Sequence, residues 1–250
     1  MHRRVLLKIS GEQLSGKHDF GIDTNIAHYL AEECGKVIQA GCQLVLIAGG
    51  GNMVRGAELA GGGIKRVTAD QMGMLSGLMN AMALTDIFEH DGIATRCMSN
   101  LFVSQVAESY TFRHAEKHLD RNRVLIVAGG LGRPYFTHDT VAVNVALELS
   151  CDVVLKATKV DGVYEKDPRE FPDARRFEHL SFQDSVANED IKVMDKAALG
   201  LAMEQNMPVI VLNPMKPDNV VRAVRGEKIG TLISGHDTVF AASKPLVSAA

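Results

Sequence analysis

Leu44-Val45-Leu46-Ile47-Ala48-Gly49-Gly50-Gly51-Asn52 is the stretch on which the fold turns. Its first half is a short, uninterrupted apolar run, the pattern of a strand buried on both faces. Its second half is a glycine triplet, and glycines at a strand end let backbone N–H groups approach a phosphate that any Cβ would hold away. Arg55 follows within four residues. Taken alone, Gly49 to Gly51 reads equally well as a tight turn, because glycines after strands are needed merely to reverse the chain. The first apolar run, Val5 to Ile9, ends in a comparable stretch, Lys8-Ile9-Ser10-Gly11. Two such stretches point to a site holding more than one phosphate group.

Further apolar runs occur at Val124 to Ala128, Val153 to Ala157 and Val209 to Leu212. Helical patterns lie between them. Asp23 is placed to cap a helix carrying Ile26, Leu30, Cys34, Val37 and Ile38 on one stripe, with Gly41 as its stop. A second helix is expected from near Thr68, through Met72, Leu75, Met79, Met82 and Phe88, with the methionines as core filler. A third is expected from Asp139-Thr140 through Leu149, and a fourth from Asp195 through Met203. Strands alternating with helices predict an α/β protein with a mainly parallel sheet. The one seam falls around Ser150 to Val153, and the stretch from Gly235 to Ala250 is small, polar and aperiodic, as of a frayed end or a contact segment.

The chain has 250 residues, 46% of them hydrophobic and 23% charged, enough for one large domain or two fused lobes. A formal charge of −3 gives no global basic field for nucleic acid or an anionic membrane, so any anion site must be local. Cys34, Cys42, Cys97 and Cys151 are scattered, without Cys-x-x-Cys or clustered histidines, which argues against a zinc site or a disulfide framework. No apolar stretch approaches membrane-spanning length, and Met1-His2-Arg3-Arg4 runs straight into a short strand rather than a signal-peptide core. A cytoplasmic protein is expected.

In open α/β sheets the ligand crevice lies outside the carboxyl ends of the strands. Four loops should meet there: Lys8 to Glu12, Gly49 to Gly56, Gly129 to Asp139, and Thr158 to Pro168. Lysine, arginine and aspartate accompany glycine in these loops, which turning alone does not require. Lys8 is the clearest case, since a lone ammonium in an apolar strand is costly without an anionic partner. The P-loop and the Gly-x-Gly-x-x-Gly fingerprint are both absent. Asp19-Phe20-Gly21 stands without the other protein-kinase motifs and is read as chance.

These residues in this order resemble the bacterial uridylate kinases, a branch of the amino acid kinase superfamily, over roughly residues 3 to 234. The likeness is carried by Leu7 to Glu12, Gly49 to Asn52 with Arg55-Gly56, Asp70 before Met72-Gly73-Met74, Lys156 to Tyr164, Asp167-Pro168, Lys192-Val193-Met194-Asp195 and Gly226-Glu227-Lys228. It implies a three-layer α/β/α sandwich, with an acceptor-binding lobe over about residues 1–150 and an ATP-binding lobe over about 151–234. It further implies transfer of the γ-phosphoryl group of Mg²⁺-ATP to UMP, with no direct protein ligand to the metal.

Carried over residue by residue, the resemblance assigns Lys8, Ile9, Ser10, Gly11 and Gly51 to the ATP phosphates, and Gly50 and Asp70 to UMP. Arg55 falls where the two phosphate chains meet. Leu131, Gly132, Arg133, Pro134, Tyr135, Phe136, Thr137 and His138 form the uridine loop; Thr158, Tyr164 and Asp167 form the adenosine end. Lys8, Arg55, Asp139 and Asp195 are the catalytic candidates, the two aspartates reading equally well as helix caps. A dianionic phosphate acceptor needs no general base, so the lack of an obvious catalytic histidine is expected.

The uridine loop departs from the family at Leu131, Arg133 and His138, where small or polar residues, often threonine or asparagine, are usual. Arg133 is expected in solvent, or as an added phosphate contact. The resemblance also implies a homohexamer, inhibition by UTP, and GTP sensitivity in the segment Gly16, Lys17, His18, Asp19, Phe20 and Gly21. Two other readings stay open: a superfamily kinase with a carboxylate or carbamate acceptor, and a non-catalytic nucleotide-binding storage or regulatory protein.

Overall fold

The apolar runs become the middle of a ten-stranded sheet because they are buried on both faces. The computed structural model describes residues 1–54, 59, 61–188, 191 and 193–242; Arg55, Gly56 and Lys192 lie outside the described residues. The strands are β1 (Arg4–Ile9), β2 (Gln43–Ala48), β3 (Thr95–Ser99), β4 (Glu108–Ser109), β5 (Val124–Ala128), β6 (Val153–Ala157), β7 (Phe177–Ser181), β8 (Val209–Leu212), β9 (Thr231–Ser234) and β10 (Val239–Phe240). Their spatial order is β10-β7-β9-β8-β6-β1-β2-β5-β3-β4. The central strands β8, β6, β1, β2 and β5 run parallel. Their carboxyl ends therefore share one edge of the sheet, and the four chemistry-bearing loops emerge there. Antiparallel pairs occur at β8 with β9 and at β7 with β10.

Residues of alternate parity face opposite layers. Val5, Leu7, Ile9, Leu44 and Leu46 pack with α2 (Thr24–Gln39), α3 (Arg66–His90) and α8 (Asn219–Val224). Leu6, Val45, Ile47, Leu125 and Val127 pack with α4 (Phe112–Leu119), α5 (His138–Glu148), α6 (Phe182–Ala187) and α7 (Lys196–Glu204). The result is the three-layer sandwich. A short α1 (Gly11–Leu14) follows β1 directly. All four cysteines are buried and free, and among the described residues no helix is long and apolar enough to cross a membrane.

Asp23 caps α2 by accepting from Asn25 N at 3.0 Å, and Gly41 at φ +83° turns the chain out of it. Asp195 caps α7, accepting from Ala198 N at 2.8 Å. Other expectations are corrected. The second helix begins at Arg66, and only part of its expected stripe is core: Leu75, Met79 and Met82 are exposed, while Leu78, Ala81, Leu84 and Phe88 face inward. The third helix is capped by Thr137, whose hydroxyl accepts from Asp139 N at 3.0 Å, so Asp139 is not a cap. Of the two readings of the C-terminal stretch, that of a contact segment holds for Val239 and Phe240. Val239 and Phe240 pair with β7, and the Phe240 ring stacks on Phe177 at 4.5 Å and under the Arg175 guanidinium at 3.9 Å. Residues 243–250 lie outside the described residues.

Candidate active site

Lys8 of β1 and Lys156 of β6 are register partners on neighbouring parallel strands, so both side chains leave the same face. The first turn of α5 lies over that face and brings Asp139 between them. The Lys156 ammonium donates to Asp139 Oδ2 at 2.6 Å. Oδ1 faces the Lys8 ammonium at 2.8 Å, an ionic contact without the angle of a good hydrogen bond. All three side chains are 11–14% exposed. Two ammonium groups share one carboxylate in direct contact, and the Asp195 carboxylate acts on Lys156 from further off; in a region poor in water such a group is stabilised when a further anion joins it. Burial pushes the Asp139 carboxyl up, but the two ammonium groups outweigh it and hold it below the ordinary aspartate range. Burial, aided by Lys8, lowers Lys156 despite the carboxylates of Asp139 and Asp195.

Asp195 joins two helix starts. Besides capping α7, it accepts from the Thr137 hydroxyl at 2.5 Å and the Thr140 hydroxyl at 3.1 Å. The N-terminal ends of α5 and α7, where helix dipoles favour negative charge, are thus held at one side of the floor. Beside them opens a cleft of about 650 Å³ lined in part by Asp139, Lys156, Met194, Lys196 and Leu199.

On the other side of β1 the glycine loop is fixed by neutral groups. Asn80 and Asn52, 0% and 3% exposed, exchange amide hydrogen bonds at 2.7 and 3.0 Å. Asn80 also donates to Gly49 O at 2.7 Å, and the Ser76 hydroxyl donates to Gly50 O at 2.6 Å. In a planar trans peptide the N–H points opposite the preceding carbonyl. With both carbonyls turned toward α3, the N–H groups of Gly50 and Gly51 point away from it, as phosphate donors must. Gly50 also has no room for a side chain: a Cβ there would lie 2.5 Å from Ser76 Oγ and 2.6 Å from Gly73 O. Gly11 is pressed as tightly onto the same loop, its Cβ position 2.6 Å from Gly51 N.

Asp70 fastens the loop after β5, accepting from Tyr135 N at 2.8 Å and from Arg66 Nε at 2.7 Å. Tyr135 has φ +70°, a strained backbone for a non-glycine residue, and this hydrogen bond holds it. Within the loop, Leu131 packs against the core, whereas Arg133, Tyr135 and Phe136 are exposed. His138 reaches over the end of β2 to the bare backbone of Gly77. A Cβ on Gly77 would stand 2.9 Å from His138 Nε2 and 3.2 Å from Ala48 O. Burial first, then the Lys8 charge, lowers the imidazole to about 4 despite Asp139, so it is neutral at pH 7.

The structure thus brings Lys8, Asp139, Asp195, Thr137 and His138 together, with Ser10, Gly11, Gly50 and Gly51 on the adjoining loops. Arg55 lies outside the described residues. Thr158, whose N–H donates to Leu212 O at 2.9 Å, and Tyr164, which bridges to Arg176, sit on the loop after β6, and neither lines the 650 Å³ cleft. Asp167, on the same loop, is bound by Arg169 at 2.6 Å, which pushes its carboxyl down to about 2. The segment from Gly16 to Gly21 is largely exposed and is hydrogen-bonded to the glycine loop at Gly21, whose N–H donates to Asn52 O and whose carbonyl accepts from Asn52. Sequence reasoning passed over Lys156 as a site residue, although it carries the same signal as Lys8, a lysine in an otherwise apolar strand. It passed over Asn80 because nothing marks that residue within a long helix.

A parallel sheet whose carboxyl edge gathers glycine loops, buried lysines and helix N-termini defines an α/β protein built to hold and transfer phosphate. Residues 3–213 match the amino acid kinase family, and the chain belongs to it. It is similar to the UMP kinase of Bacillus anthracis, with 33% identity and a TM-score of 0.92 over 96% of this chain and 99% of that one. The UMP kinase of Ureaplasma parvum is 31% identical with a TM-score of 0.87, over 94% and 99% of the two chains. The uridylate kinase of Archaeoglobus fulgidus is 25% identical with a TM-score of 0.70, over 92% and 99%.

Proposed function

We propose that this chain is an ATP-dependent UMP kinase, which passes the γ-phosphoryl group of ATP directly to the phosphate of UMP to give UDP and ADP. The observation that carries this reading is the Lys8–Asp139–Lys156 floor between two glycine loops. It is a pair of ammonium groups, largely desolvated and held by one carboxylate in direct contact, where two phosphate chains would meet. Phosphoryl transfer needs positioning and charge stabilisation more than covalent help. A nucleoside monophosphate with a second pKa of about 6 is already nucleophilic at neutral pH, so no base is required. The Gly50 N–H is assigned to the acceptor and the Gly51 N–H to the donor, with Ile9, Ser10 and Gly11 beside it. Asp139 aims the two ammonium groups, and Asp195 holds α5 and α7 against them.

Among the described residues no group of three or more His, Cys, Asp or Glu could hold a metal ion, and both oxygens of Asp139 face lysines. This donor set fits Mg²⁺ carried on the phosphate oxygens of ATP, where it would draw negative charge off the transferring group. Arg55 would add cationic charge at the junction. Asp70 and residues 131–138 receive the nucleoside side of UMP, and Thr158, Tyr164 and Asp167 the adenosine of ATP. A cytoplasmic role in supplying UDP for pyrimidine and CTP synthesis follows from the product. The exposed stripe Leu75, Met79 and Met82 on α3 supports self-association of the homohexameric kind, and control by UTP and GTP completes the reading.

The test is a coupled ADP-release assay with UMP, CMP, dUMP, acetylglutamate and carbamate as acceptors. Turnover is expected with UMP foremost. Turnover with acetylglutamate or carbamate and none with UMP would move the acceptor to another superfamily class, and no turnover with any acceptor would leave a binding protein.

A further inference from the structure

Residues 237–241 are fastened to β7 and α6 along their length. His179 Nδ1 donates to Asp237 O at 2.5 Å, the Thr238 hydroxyl accepts from Ser181 N at 2.9 Å and donates to Asp184, and Ala241 N donates to Arg176 O at 2.9 Å. Covering the open edge of β7 would need no more than this pairing. The side chains, however, carry the contact across β7 to its other edge. There residues 175–177 run antiparallel to residues 163–165: Phe177 N donates to Val163 O at 2.9 Å, Glu165 N donates to Arg175 O at 3.1 Å, and Tyr164 stands opposite Arg176. Alternation places Glu165, Arg175, Phe177 and Phe240 on one face of this three-stranded ribbon. The Glu165 carboxylate accepts from the Arg175 guanidinium at 2.8 and 3.1 Å. The guanidinium lies 3.9 Å from the centre of the Phe240 ring, which stacks in turn on Phe177 at 4.5 Å. A guanidinium held by a carboxylate at its edge and a ring at its face keeps one orientation. The C-terminal strand thus fixes Glu165 through Arg175.

We infer that Phe240 and Arg175 are positioning residues for ATP, through which the C-terminal strand holds the loop after β6 in the shape that receives the adenosine. The inference rests on the UMP kinase reading, which gives Tyr164 and Asp167 to that adenosine, and makes it more specific. Two features carry it. Residues 166–174, with Asp167 among them, have neither helix nor strand, so their course depends on what clamps the two ends. Glu165 and Arg175 are those ends, joined by backbone and side chain alike, with Phe240 laid against the joint. Tyr164, of the other parity, leaves the opposite face of the ribbon, so the stack sets its backbone without occupying its ring's side. Both positioning residues therefore act through residues 163–165 and need no contact with the nucleotide. Coupling of this kind is reciprocal: ATP must hold the C-terminal strand as firmly as the strand favours ATP.

The experiment compares the full-length wild-type protein with Phe240→Ala, Phe240→Tyr, Arg175→Gln and the double variant Phe240→Ala with Arg175→Gln. It measures kcat, KM for ATP and UMP, and the calorimetric Kd for ATP and for inorganic tripolyphosphate. Phe240→Ala is expected to raise Kd and KM for ATP about fivefold, the scale of one partly exposed cation–π contact. Its kcat, KM for UMP and Kd for tripolyphosphate are expected to stay within about twofold of wild type. Phe240→Tyr keeps the aromatic face and is expected to hold ATP within about twofold. Arg175→Gln should weaken ATP at least as much as Phe240→Ala, and the double variant no further, because the two side chains act as one unit. In the wild-type protein, hydrogen exchange at the Ala241 amide is expected to slow on adding ATP and not on adding UMP. This last measurement decides the matter should a variant fail to fold. Unchanged ATP affinity in Phe240→Ala, equal losses for ATP, tripolyphosphate and UMP, additive losses in the double variant, no retention by tyrosine, or Ala241 exchange indifferent to ATP would each overturn the inference. The expected ATP pattern in a wild-type protein without UMP turnover would uphold it and overturn the kinase reading instead.

Discussion

The two sides of the crevice floor are fastened by opposite chemistry. Beneath β1 and β6, Lys8, Asp139 and Lys156 form a charged group in which two ammonium groups share one contacting carboxylate. Beneath β2, Asn52, Asn80 and Ser76 form a neutral group in which each amide and hydroxyl finds a partner. A satisfied neutral network holds backbone in position and asks nothing of a ligand. A charged group in which two ammonium groups share one contacting carboxylate is stabilised further by an anion that arrives beside them. The contrast separates scaffold from chemistry within a few residues of the same glycine loop.

The sharpest way to break the contrast is to remove charge from the first group. Lys8→Ala is expected to lower kcat about a thousandfold, the scale for loss of a preorganised charge-stabilising donor, with circular dichroism unchanged; near-normal turnover would take Lys8 out of the mechanism. Asp139→Asn leaves two buried ammonium groups facing one another, and should cost about 3 to 5 kcal/mol in a denaturation titration as well as activity. If it lost activity alone, Asp139 would not be holding the floor together.

His138 gives the comparison a pH axis. Its imidazole falls from 6.5 in the unfolded chain to about 4 in the folded one, so folding favours the neutral ring. The stability this represents is complete above pH 6.5 and is lost as pH falls through 4, by about 3 kcal/mol at most. Below that, protonation of Asp139, whose carboxyl is held low, takes over. Stability measured from pH 7 to 4 should therefore fall less steeply in His138→Gln than in wild type, and equal slopes would refute the assignment. The smallest effect is expected on the neutral side. Asn80→Ala should cost about 2 kcal/mol through unpaired groups at Gly49 and Asn52, with kcat of the folded protein changed only a few-fold. A loss of kcat as large as that of Lys8→Ala would erase the distinction drawn above.

Legibility followed the same division. β1, β2, β5, β6 and β8 were readable because central parallel strands, covered on both faces, are written almost wholly in Val, Leu, Ile and Ala. The flanking strands were not: Thr95–Ser99 contains an arginine, and Phe177–Ser181 contains a glutamate and a histidine, since sheet margins are covered on fewer sides. The stripe expected on α3 failed because a 25-residue helix is amphipathic only locally, and its outward face carries Leu75, Met79 and Met82. Lys8 was legible as a charge out of place. Asp139 was ambiguous, because an aspartate near a helix start looks the same whether it binds backbone or lysine, and only the packing of α5 over β1 and β6 decides. Asn80 left no trace, since its role arises from a loop 28 residues away in the chain.

The pairing of Lys8 with Lys156 across β1 and β6 has a bearing on how the chain assembles. Side chains alternate across a sheet, so a slip of one residue in β6 would turn Lys156 out of its ion pair and into the hydrocarbon layer beneath α2 and α8. Apolar runs of Val and Leu tolerate such slips, because every offset buries similar surface. A single ammonium does not. The charge proposed to serve the reaction therefore also penalises misaligned pairing of these strands.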